Sequence, residues 1–136
     1  MQLEDKRDER TGLSVGELLL LAALLGLTVG CVHIATLCRV GSVHWFPGVF
    51  AGCLNFIAFV IPSWIATSFR NGSARQLTIS AFRIATLLPS IGFASWWAGA
   101  ERNYFLTALL ACYFVALPVE SWLLIREVRR DERSGQ

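Results

Sequence analysis

Charge is scarce over most of this chain. Asp, Glu, Lys and Arg make up 16% of its 136 residues, and nearly all of them sit in the first ten residues, the last eleven, or three short breaks between. Subtracting the uncharged stretches leaves almost nothing from which to build a soluble catalytic domain. Histidine is rarer still. With His33 and His44 alone, and His44 in a break, no facing pair exists to ligate a b-type haem. The four cysteines, Cys31, Cys38, Cys53 and Cys112, form no C-x-x-C pair, which speaks against a metal or redox motif. No Ser–His–acid set, glycine-rich phosphate loop or cluster of carboxylates is present, so neither catalysis nor a cofactor is expected. The net charge of +2 is not a nucleic-acid signature, because the basic residues flank the apolar stretches instead of covering one face.

What remains is apolar. Such residues form 54% of the chain, and the mean hydropathy is +0.53. They gather in four runs, roughly 13–37, 45–69, 77–98 and 104–125, each about 22–25 residues long. About 20 helical residues cross the hydrocarbon core of a bilayer. The expected fold is therefore all-α: one polytopic membrane domain over residues 1–136, with four transmembrane helices arranged as two antiparallel hairpins. The short breaks Arg39–His44 and Gly99–Asn103 would close the hairpins, and Arg70–Gln76 would join them. Trp45, Trp64, Trp96, Trp97 and Trp122 lie in the outer turns of their spans, where indole favours the headgroup boundary.

Nine of the twelve Lys and Arg fall before the first span, between the second and third, or after the fourth; Arg39 and Arg102 lie on the other side and Arg83 is intramembrane. Basic residues near span ends stay cytoplasmic, so both termini should face the cytoplasm. The basic start followed by Leu13–Leu27 also resembles a signal peptide, with Leu27–Cys31 near a lipoprotein cleavage box. The run continues to Leu37 without a polar mature segment, so the expectation is an uncleaved span. The tips Gln2–Arg10 and Arg126–Gln136 mix both signs of charge and read as frayed, solvated helix ends.

Helices in lipid associate through close backbone approach and polar contacts. Gly26 and Gly30 are four apart on the first helix, on a face shared with His33; Gly48 and Gly52 repeat the spacing on the second, with Asn55. Ser80, Arg83, Thr86 and Ser90 cluster on the third with Leu87, and Cys112, Ala116 and Glu120 line up on the fourth. These stripes suit a bundle interior, or one Gly stripe faces another protein. Pro62, Pro89 and Pro118 lie within spans, each removing a backbone hydrogen bond. Pro62-Ser63 and Pro89-Ser90 look alike, but in helices of opposite direction the match reads as chance.

Arg83 is the residue most costly to place. A mid-span Arg costs on the order of 3 kcal/mol on insertion scales and usually faces an interior partner. Counting from the Gly99–Asn103 break puts Arg83 and Glu120 within a turn of each other in depth. Three readings stand: a salt bridge that locks the hairpin, contact with a charged group on a partner, or part of an ion or proton path.

Residues 43–126 resemble the subunit I family of bacterial F-type ATP synthases, a four-span protein encoded beside the synthase. Ile79–Ala85 is similar to the start of that family's third span, with Arg83 in the place of the basic residue. Gly48, Gly52, Pro62-Ser63 and the exit at Arg70 resemble its second helix. Ser80 and Ser63 depart from the acidic residue and the Asn usual there. The resemblance implies a multi-pass protein of the bacterial inner membrane that assists assembly of the c-ring. It would pack a Gly-lined face on c subunits and set Arg83 near their membrane carboxylate. A small transporter or channel is the alternative, and a homo-oligomer is compatible with either. Divalent cations suit this sequence poorly, since they want clustered oxygen ligands.

Overall fold

The computed structural model describes residues 14–66 and 72–134. Four helices follow in order, α1 (Val15–Val40), α2 (Phe46–Ala66), α3 (Gly72–Phe93) and α4 (Gly99–Ser134), with a 3-10 turn at Ala94–Trp96. Four stretches are long and apolar enough to cross a bilayer: Val15–Val40, Phe46–Ile65, Leu77–Trp96, which takes in the 3-10 turn after α3, and Gly99–Leu123. The protein is an all-α, four-helix, multi-pass membrane protein. The N-terminal tip and residues 67–69, expected to end the second span, lie outside the described residues, as does Arg70.

Helix ends depart from expectation in three places. Gly99–Asn103 is not a loop but the first turn of α4, and the connection contracts to Trp97-Ala98. Tyr104 and Phe105 are almost wholly buried, and holding their backbone in register takes helix on the N-terminal side. Glu101 in that first turn also complements the positive end of the helix dipole. Likewise α3 begins at Gly72, so most of the expected Arg70–Gln76 loop is helical; Ala, Arg and Gln are good helix formers. The C-terminal tip, expected to fray, remains helical to Ser134. At the start of α1, Ser14 Oγ accepts from the Glu17 N–H and Glu17 Oε2 from the Ser14 N–H, a capping box in which each satisfies the other's donor. Gly41, at φ +84°, ends α1 by donating to the Leu37 carbonyl at 2.9 Å.

Helix α2 is the centre of the bundle. It packs closely on α1, α3 and α4, whereas α3 packs chiefly on α2. Small residues make this possible. Ala108, Cys112 and Ala116, buried at four-residue steps on α4, let backbones approach closely. One core cluster joins Ala51 of α2 to Tyr104, Phe105, Ala108 and Leu109 of α4. A second joins Leu21, Leu25 and Val29 of α1 to Phe59 and Cys112. At the end carrying the two tight turns, Phe50 meets Phe46, Phe93, Trp97 and Phe105 at centroid distances of 5.8–6.2 Å. Three of these pairs are tilted or edge-on and the Phe46 pair is stacked, and aromatic pairs in such arrangements are favourable beyond their burial.

Pro62, Pro89 and Pro118 lie inside helices α2, α3 and α4. The serine after two of them has a local role: Ser63 donates to the Phe59 carbonyl and Ser90 to the Thr86 carbonyl, both at 2.7 Å. Such back-bonds absorb a side-chain donor inside lipid and often bend a helix.

Candidate functional site

The inward row of α3 is Ile79, Arg83, Thr86, Leu87 and Ser90, all buried or half-buried. Ser80, expected on this row, is exposed; it follows Ile79 by one residue, about 100° around the helix. Arg83 is 5% exposed. Its Nη1 donates to Glu120 Oε2, and its guanidinium lies 5.3 Å from the centroid of Phe59 and 5.9 Å from that of Tyr113. Phe59 comes from α2, Tyr113 and Glu120 from α4. The Arg side chain therefore crosses the gap between α3 and α4 and meets its counter-charge between two rings, whose faces attract a cation. It does not run along the helix toward an end. In this arrangement one arm of the guanidinium, Nη1, is answered within its own chain.

One layer away, Asn55 of α2 donates through Nδ2 to the Ala51 carbonyl at 3.0 Å and to the Leu109 carbonyl of α4 at 3.2 Å. Both amide protons are thus used on backbone acceptors, one of them across the helix interface. His33 Nδ1 stands 3.2 Å from the Tyr104 hydroxyl, so His33 joins α1 to α4. Tyr104 was not singled out by sequence reasoning, because the break placed at Gly99–Asn103 left it at the edge of a span with no face to point along.

The two glycine pairs have different fates. A Cβ at Gly48 would fall 1.9 Å from the Tyr104 hydroxyl and 2.4 Å from its Cζ; one at Gly52 would fall 3.1 Å from Val29 Cγ2. Those glycines are interior contact points. A Cβ at Gly26 or Gly30 meets nothing within 4 Å, and both positions are exposed, so they are not part of the bundle's own packing. Gly26 borders an open apolar groove of about 480 Å³ between α1 and α2, lined also by Ala22, Val29, Gly52, Cys53 and Phe56.

No family model, curated protein or solved structure matches the chain. None of these comparisons bears on the subunit I resemblance of residues 43–126.

Among the described residues, two further ionic contacts lie at the ends. Arg126 donates to Glu17 Oε1 at 2.5 Å, tying the start of α1 to α4, and His44 Nε2 is 3.7 Å from Glu101 Oε1. Glu17 was also missed by sequence reasoning, although Ser14-x-x-Glu17 before an apolar run is a helix-start signal. Among the described residues no three His, Cys, Asp or Glu side chains come together, and the four cysteines are free.

Proposed function

We propose that this chain is a non-catalytic membrane accessory protein that receives a partner's transmembrane helix against the outer side of α1 and α2. The observation that carries the reading is the outward placement of Gly26 and Gly30, with Gly26 on the edge of the α1–α2 groove. A bare backbone stripe contributes little to a helix surrounded by lipid, yet it lets a second helix approach closely. The resemblance of residues 43–126 to subunit I supplies the partner to test, the c subunit of a bacterial F-type ATP synthase, and the role, assistance in assembling the c-ring. This contact does not call on Arg83, which is buried and paired with the half-buried Glu120. A path for ions through one copy finds no support in the interior cavity of about 10 Å³, about one water in size.

The test is a double substitution of Gly26→Leu and Gly30→Leu in cells. Leucine at these open positions leaves the fold intact and blocks backbone approach, so the protein should stay at normal abundance while c-ring yield falls. Unchanged ring yield in a clean deletion, with synthase activity intact, overturns the assembly role. Ion flux into vesicles holding the purified protein would then support transport instead.

A further inference from the structure

At the junction of α2, α3 and α4, the side chains of Asn55, Arg83, Thr86, Ser90 and Tyr113 line a cavity of about 10 Å³. Arg83 is 5% exposed, and its Nη2 is buried with no hydrogen-bond partner in the protein. The Glu120 carboxylate serves Nη1 and leaves Nη2 unanswered. A guanidinium proton left bare inside the bundle is costly, and neighbouring polar groups with spare acceptor capacity lie around the same cavity.

The polarity of those groups selects the ligand. Asn55 has used both Nδ2 protons on carbonyls, which leaves Oδ1 as an acceptor. Thr86 has used its hydroxyl proton on the Phe82 carbonyl and Ser90 its own on the Thr86 carbonyl; each oxygen still carries lone pairs. Beside Nη2, the unmet donor, stand three residues, Asn55, Thr86 and Ser90, whose protons are already committed. A halide would take the Arg proton and face the oxygen lone pairs of Asn55, Thr86 and Ser90. Its charge would also be unbalanced, since Glu120 already neutralises Arg83. A metal cation would meet the guanidinium directly. Water can accept from Nη2 and donate to two of the oxygens. The size agrees, since a cavity of about 10–15 Å³ on this measure holds one water.

We propose that a single structural water binds in this cavity, accepting from Arg83 Nη2 and donating to acceptors among Asn55, Thr86 and Ser90. It would complete the coordination of the guanidinium that Glu120 begins, and fix α3 to α2 as well as to α4.

Water-edited solid-state NMR of the full-length, 15N-arginine-labelled protein in lipid nanodiscs tests this directly. The Arg83 signal is identified as the one absent from the Arg83→Leu, Glu120→Leu double variant. Short-mixing transfer from water to the Arg83 Nη signals, surviving when bulk water signal is suppressed by a soluble paramagnetic agent, is the expected result. In Ala58→Val, which fills the cavity from α2, that transfer should be lost. No transfer to Arg83 in the unmodified protein overturns the proposal, whatever the variant does. A shift of the Nη signals on replacing chloride by bromide, without water transfer, identifies a halide site and overturns it equally.

Discussion

A guanidinium 5% exposed between Phe59 and Tyr113, with Glu120 as its counter-charge, makes two residues on different helices depend on one another. Removing one partner of a buried pair strands the other charge at a cost of about 3–5 kcal/mol, whereas replacing both by apolar groups is often neutral. Arg83→Leu and Glu120→Leu should each deplete the protein in the membrane, and the double change should restore it, as read by quantitative immunoblot. A double variant as depleted as the worse single would mean that neither residue is there for the other. The glycines give a sharper contrast. Gly48→Ala drives a methyl into the Tyr104 ring and should lower thermal stability by about 1–3 kcal/mol, the usual range for overpacking. Tyr104→Phe should not rescue it, because Cζ would still stand 2.4 Å from the new Cβ. Gly26→Ala should change the melting temperature in detergent by little. A large loss there would place Gly26 in the interior after all.

At the scale of helices, Asn55 is the polar clasp between α2 and α4. Interhelical hydrogen bonds in membrane proteins average about 0.6 kcal/mol and reach about 1.7. Asn55→Leu should therefore weaken the bundle by an amount of that order, more if the larger side chain also disturbs Leu109. A protein that unfolds in detergent at an unchanged temperature would show that the bond contributes nothing. Which segments are helices could be seen in the amino-acid order, because an 18-residue apolar window has almost no other reading. Which face of each helix turns inward could be seen only in part. On α4, the small residues Cys112 and Ala116 with Glu120 marked the inward side. On α1, Gly26 and Gly30 followed the same spacing but face outward, since a small-residue step is the same signal for a partner of either origin. On α3, Ser80 resembled its neighbours in polarity, yet one residue of register separates it from the row of Arg83. The turn before α4 was misplaced because Gly, Glu, Arg and Asn read as a break, and only the burial of Tyr104 and Phe105 requires helix there.

For the molecule as a whole, the basic flanks predict an orientation that can be measured. Reporter domains fused after Arg75 and after Gln136 should be cytoplasmic, and reporters inserted at Gly41 and Ala98 should lie across the membrane. A C-terminus on the far side would reverse the reading of the charge pattern. The order in which the chain is made adds a constraint of its own. Arg83 and Glu120 are 37 residues apart, so at about 5–20 residues per second the ribosome takes roughly 2–7 seconds to supply the carboxylate after the guanidinium. Throughout that interval α3 carries an uncompensated charge worth on the order of 3 kcal/mol against insertion. A nascent chain stopped at Ala98 should therefore integrate its third span poorly, and one extended past Leu123 should integrate it well. The last helix, in this view, is what commits the one before it to the bilayer.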